Sequence, residues 1–227
     1  MNRKTQLTRF LSLPLVAGLL VFATMTLTLG EISEDIIKHE PITVADAQLS
    51  NWLHTHSSPL LTKAMFVATL FGSTVTVSCL AIAFGLFLLS RRRHYWTAAL
   101  VLSVFGGVVL NWVLKYFFHR SRPSFTDPLL ALSSYSFPSG HTMAATVLYG
   151  TIAAYLFATT QDPRRRALIV VGAAFLILLV AFSRIYLGAH YLSDVLGAMA
   201  EGLAWLALCL TVVYSFWRQQ NRQRTRR

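Results

Sequence analysis

Three cations, two histidines and one carboxylate stand out in this chain because their types and spacing suit the handling of a phosphate group. Lys115, Arg122 and Arg184 can surround a phosphate, with the planar arginine forks orienting its oxygens. Taken singly, a Lys or Arg near a helix end usually snorkels to headgroups and a lone histidine is usually structural, so the weight lies in the combination. Pro138, Ser139, Gly140 and His141 precede an apolar helical stretch. Pro138 suits a helix entry and Gly140 lets backbone approach an anion. The backbone N–H groups of Ser139, Gly140 and His141 are expected to face that anion at the positive end of the helix dipole. His190 and Asp194 are spaced i, i+4, so if both are helical they share a face. Asp194 then holds one imidazole nitrogen and leaves the other free to attack phosphorus. His141, from a different helix, is left to give a proton to the departing oxygen.

The elements that must position these groups are hydrophobic. Of the 227 residues, 55% are apolar and only 13% charged, and runs such as 11–30 and 167–182 carry no charge at all. A helix of about 20 such residues crosses the hydrocarbon core of a bilayer. The pattern predicts an all-α protein, one membrane domain over residues 1–227, with six transmembrane helices near 10–29, 64–89, 95–114, 141–160, 167–183 and 193–217. The net charge of +11 raises the question of nucleic acid, but the basic residues lie in short flanks between apolar runs. Arg91 to Arg93, Arg164 to Arg166 and the arginines of both termini fall on one side of a six-span chain. That side is expected to be cytoplasmic, with both termini inside and residues 115–140 and 184–192 outside. The first run could also front a secretory signal, yet it is long and has no convincing cleavage site, so it is read as a retained helix.

With the three polar clusters and the topology assembled, the chain resembles the type 2 phosphatidic acid phosphatase superfamily, related to vanadium haloperoxidases. The resemblance rests on KYFFHRSRP from Lys115, PSGH from Pro138 and SRIYLGAHYLSD from Ser183, and it spans 115–194. It implies that His190 is the nucleophile forming a phosphohistidine, Asp194 its partner and His141 the acid for the leaving group. It implies phosphate binding by Lys115, Arg122, Ser139, Gly140 and Arg184, with no metal or other cofactor, and a geometric role for Ser183 and Pro123. The short link between Pro123 and Pro138 is similar to that of small bacterial undecaprenyl-diphosphate and phosphatidylglycerophosphate phosphatases. The expectation is a lipid phosphate or diphosphate substrate, membrane lipids as partners, no nucleic acid, and a site on the periplasmic or exterior face of a bacterial inner membrane.

A lipid transporter or flippase would also use intramembrane polar groups, but at mid-membrane depth instead of at one interface. A phosphotransferase of the same family stays open, and a vanadate-using peroxidase is disfavoured by the topology. Cys79 and Cys209 lie in apolar runs and read as small buried hydrophobes. His54 and His56 are too few for a metal site. Ile36, Ile37, Leu49, Trp52 and Leu53 suit a helix lying on the membrane surface, and Leu129, Leu130 and Leu132 suit contact with a lipid tail or a plain anchor. Glu201 projects from a face of the last span similar to that of Asp194, with Asn111 as a possible partner.

Overall fold

The computed structural model of the chain describes residues 13–125, 128–129 and 134–224. Its helices are α1 (Leu13–Lys38), α2 (Pro41–Thr55), α3 (Pro59–Leu70), α4 (Thr74–Ser90), α5 (His94–Phe118), α6 (Gly140–Thr159), α7 (Pro163–Tyr186) and α8 (Leu192–Arg224). Local chemistry sets several boundaries. Ser58, Ser73 and Asp162 cap α3, α4 and α7 by accepting from Leu61 N, Thr76 N and Arg164 N, and Pro59 and Pro163 occupy first-turn positions where no N–H is needed.

Among the described residues five helices are long and apolar enough to cross a membrane, or six if α3 and α4, bent by 41° to each other, are counted as one span. The expected straight span at 64–89 is therefore a broken one. The chain turns at residues 71–73 because Ser73 starts a new helix, and the Phe71 carbonyl released by the break accepts from Tyr149 Oη at 2.8 Å. The first span also differs from expectation: it continues to Lys38, where a Glu34–Lys38 ion pair extends the helix, while residues 10–12 lie outside the described part.

Helix α6 sits at the centre, with α4, α5, α7 and α8 around it. Its Ala144, Ala145, Leu148 and Tyr149 pack with Val77, Leu100 and Val180. In lipid, small residues matter more than apolarity for such contacts, since tails are as apolar as leucine. Thr146 and Thr151 hide their hydroxyls by donating to Thr142 O and Val147 O one turn back, at 2.8 and 2.6 Å. Outward residues such as Phe105 and Phe175, 72% and 62% exposed, face the region that lipid would fill.

The C-terminal ends of α5 and α7 and the N-terminal ends of α6 and α8 meet at one end of the bundle, and the arginine clusters lie at the other. Helix α2 closes over the first end. Its Leu49 and Leu53 pack with Met65, Ala68, Ile185 and Tyr186, while Trp52 is exposed. Of the leucines in the link, Leu129 joins this same cluster instead of facing outward, whereas Leu130 and Leu132 lie outside the described residues.

Candidate active site

The chain reaches the site through two sharp changes of direction, at His119 and at Gly188. Helix α5 ends at His119, in a left-handed conformation with φ of 48°. The following strand-like segment carries Arg120 and Arg122, and Ser136 N donates to Arg120 O at 2.8 Å, tying the two sides of the link together. Helix α7 ends at Gly188, where φ is +66° and a Cβ would fall 2.7 Å from Phe125 Cε2. Only glycine fits such a position, and the turn it permits brings Ala189 N and His190 N back onto Arg184 O at 3.1 and 3.2 Å.

His190 thus precedes α8 instead of lying on it, which corrects the expectation that it shares a helical face with Asp194. Asp194 is in the first turn of α8 and its Oδ2 accepts from Tyr191 N at 2.8 Å, the reach-back contact of a capping box. That contact leaves Oδ2 3.5 Å from His190 Nδ1, close enough to fix the ring though long for a hydrogen bond. On the other side, Arg122 Nη1 lies 3.1 Å from His190 Nε2. A guanidinium can only donate, so Nε2 must carry the lone pair and Nδ1 the proton. Burial pushes the His190 imidazole down to about 3 against the opposing pull of Asp194, so the ring is neutral at pH 7. An acid limb of activity near pH 6 would then belong to some other group.

The three cations of the sequence reading are each held at this end of the bundle. Arg122 is held by its Nε on Ser134 O at 2.6 Å, Nη1 on Ala189 O at 2.5 Å and Nη2 on Ser134 Oγ at 2.9 Å. Lys115 Nζ donates to Tyr135 O at 2.8 Å. Arg184, only 4% exposed, donates from Nη1 to Thr69 Oγ1 at 2.8 Å, and its buried Nε finds no partner among the described residues. A buried donor of this kind needs an acceptor, and a phosphate oxygen is one. His141, at the start of α6, is near enough to Arg184, Arg122 and Lys115 to interact with their charges.

Two details of the helix entry differ from, or add to, the sequence reading. Ser139 N does not face outward: it donates to the Asp194 carbonyl at 3.1 Å and locks α6 to α8. The first N–H groups of α6, those of Gly140 and His141, remain for an anion. At Gly140 a Cβ would stand 3.3 Å from Asn111 Oδ1, so a side chain there would push against Asn111. Asn111 Nδ2 in turn donates to Glu201 Oε2 at 2.8 Å, the pairing expected for that buried acid. Ser183 uses its hydroxyl within the helix, on Val180 O at 2.6 Å, in keeping with a geometric role.

Sequence reasoning missed a buried ion-pair chain behind Asp194. Arg120 Nη1 donates to Asp194 Oδ1 at 2.6 Å and to Ser193 Oγ at 2.7 Å, while its Nη2 donates to Asp46 Oδ2 at 2.8 Å. Asp46, brought by α2 and 1% exposed, also accepts from Ser193 N at 2.9 Å. Asp194 and Asp46 outweigh the opposing effect of burial and hold the Arg120 guanidinium above its ordinary pKa. Ser136 completes the set by donating to Asp194 Oδ2. Removing one member of a buried pair costs on the order of 3–5 kcal/mol because the other charge is stranded. Arg120→Ala, which strands two carboxylates, is therefore expected to lower the thermal unfolding midpoint in detergent, followed by tryptophan fluorescence. An unchanged midpoint would contradict the pairing.

Comparison with known proteins finds relatives over much of the chain. The sequence model of the PAP2 superfamily matches residues 96–218. Phosphatidylglycerophosphatase B of Bacillus subtilis is 35% identical over 161 residues, which is 70% of this chain and 78% of the relative. Undecaprenyl-diphosphatase of Sulfolobus acidocaldarius is 30% identical over 54% of this chain and 57% of its own. The crystal structure of the transmembrane PAP2-type phosphatidylglycerolphosphate phosphatase from Bacillus subtilis superposes with a TM-score of 0.76 at 28% identity, covering 87% of this chain and 96% of that one.

Proposed function

The chain belongs to the PAP2 superfamily and is a multi-pass membrane lipid phosphatase, and from that premise we propose that His190 attacks the terminal phosphorus of a lipid phosphate or diphosphate at the outer face of a bacterial inner membrane. The observation that carries this reading is the orientation of His190, with Nδ1 toward Asp194 and the Nε2 lone pair at 3.1 Å from Arg122 Nη1. Nucleophile and clamp converge on one point.

In the first step the Nε2 lone pair forms the N–P bond and the bond from phosphorus to the lipid oxygen breaks, with His141 supplying the proton that the departing oxygen takes. Asp194 stabilises the positive charge that the imidazole acquires. Lys115, Arg122, Arg184 and the N–H groups of Gly140 and His141 hold the equatorial oxygens, where charge accumulates. In the second step water attacks the phosphohistidine, His141 receives its proton, and phosphate leaves with His190 restored.

The similarity in sequence and in structure to phosphatidylglycerophosphate phosphatase of Bacillus subtilis favours phosphatidylglycerophosphate as substrate, with undecaprenyl diphosphate and phosphatidic acid as the alternatives. Detergent-purified protein given each lipid in turn, with kcat/KM measured under one condition, tests both activity and preference. Phosphate release that persists in EDTA and is inhibited by vanadate is the expected result. Absence of release from every lipid, or loss in EDTA restored by magnesium, would refute the reading.

Orientation has its own test. In a protein whose Cys79 and Cys209 are replaced by serine, Ser124→Cys is expected to react with an impermeant thiol reagent in intact spheroplasts, and Ser90→Cys only after lysis. The reverse pattern would place the site on the inner face.

A further inference from the structure

At the end of the bundle away from His190 lies a cavity of about 1160 Å³, open to one side, between α1, α8 and the ends of α5 and α6. Its walls are apolar, with Val21, Leu206 and Leu210 among them, and its rim carries Arg92, Arg93 and Arg166. Helix α5 links the two ends: His94 lines this cavity and Lys115 belongs to the clamp. Their separation along the helix is about 30 Å, a bilayer core apart. The cavity is therefore distinct from the phosphate site.

Two features show that the rim is built and not merely basic. Arg166 is fixed by its Nε on Thr160 O at 2.8 Å and by its guanidinium 4.8 Å above the Phe157 ring, which leaves its Nη groups to a ligand. Arg92 occupies the position after the α4 C-cap where Arg93 N bonds Leu88 O at 2.8 Å and Arg92 N bonds Leu89 O at 2.9 Å. This is a Schellman turn, and its left-handed residue, φ of 53°, is normally glycine. An arginine there adopts a backbone conformation that its Cβ disfavours. Glycine would adopt this conformation more readily, whereas arginine places a cation on the cavity lining.

We infer that this cavity binds one anionic phospholipid of the leaflet opposite the active site, its phosphate held by Arg92, Arg93 and Arg166 and an acyl chain laid along the apolar walls beside the close contact of α1 with α8 at Gly18 and Thr211. Charge complementarity selects the headgroup, and the apolar walls select a lipid over a soluble anion. Tyr95 and Trp217 at the rim, 6.1 Å apart, suit the headgroup boundary.

Native mass spectrometry of the full chain in detergent, with dioleoylphosphatidylglycerol or dioleoylphosphatidylcholine as probe, tests the inference. Phosphatidylglycerol has no terminal phosphate to be removed but is the product of phosphatidylglycerophosphate hydrolysis, so dioleoylphosphatidylserine is run beside it as a second anionic probe and should be retained alike. Wild type is expected to retain one phosphatidylglycerol in preference to phosphatidylcholine. The triple change Arg92→Gln, Arg93→Gln, Arg166→Gln should weaken that binding on the order of 10²-fold, and Arg92→Gly alone about fivefold. Arg184→Gln, at the other end, should retain the lipid. The decisive sign is that Arg92→Gly relaxes the backbone, so its melting temperature in lipid-free detergent should equal or exceed that of wild type while lipid affinity falls. Equal retention of phosphatidylglycerol by the triple variant, equal retention of phosphatidylcholine by wild type, a lower melting temperature for Arg92→Gly, or a dimer that occupies the cavity would overturn it.

Discussion

His190→Ala is expected to remove phosphate release from all lipid substrates, a loss on the order of 10⁶-fold in kcat if the residue is the covalent nucleophile of a cooperating set. The magnitude follows from what remains. Lys115, Arg122 and Arg184 still bind phosphate in the variant, but no other imidazole lies against Asp194, and water would have to attack without an oriented base. Affinity should change far less than turnover, so binding of vanadate or product phosphate checks that the clamp survives. The ring is buried, 2% exposed, and its loss leaves a cavity, so a melting curve must accompany the kinetics. A folded His190→Ala protein with turnover near wild type would remove His190 from the mechanism.

The second large effect depends on the substrate. His141→Ala is expected to slow hydrolysis of a lipid monoester such as phosphatidic acid by on the order of 10²–10⁴-fold, the contribution of a positioned general acid. A monoester expels an alkoxide, which needs the proton as its bond breaks. A lipid diphosphate expels a lipid monophosphate, a much better leaving group, so the same variant should lose far less on undecaprenyl diphosphate. Single-turnover rates with each lipid isolate the first chemical step from later steps. Equal losses on both substrates would assign His141 to phosphate binding instead.

These expectations come from residues that were legible at different depths. Apolar runs and alternating basic loops located the spans, because membrane thickness constrains helix length strongly. The order of Lys115, Arg122, the Pro138 to His141 segment, Arg184, His190 and Asp194 identified the family, and the fold brings these groups to one end. What sequence spacing misjudged was the path between His190 and Asp194. The i, i+4 interval suggested one helix, whereas Gly188 turns the chain and the capping contact to Tyr191 N does the positioning. The break in the α3–α4 span was equally hidden, because Phe71 and Gly72 are unremarkable in an apolar run and Tyr149 holds them from elsewhere in the chain.

Asp46 and Arg120 were the larger omission. Arg120 stands two residues before the clamp arginine, inside KYFFHRSRP, and its spacing alone does not single it out. Asp46 did carry a signal: with Leu49, Ser50 and Leu53 it forms an i, i+3, i+4, i+7 stripe, the buried face of α2. A carboxylate on such a stripe requires a cation, and Arg120 is that cation. Reading α2 as a surface helix hid the stripe, since an interfacial helix faces lipid where this one faces the site.

Double displacement through His190 leaves its mark on the stereochemistry at phosphorus, which can be read without requiring the intermediate to accumulate. A lipid thiophosphate whose terminal phosphorus is made chiral with oxygen isotopes is hydrolysed in isotopically labelled water, and the configuration of the released thiophosphate is determined. Two in-line displacements, first by His190 Nε2 and then by water, predict net retention; net inversion would mean that water attacks the lipid phosphate directly and would contradict the phosphohistidine.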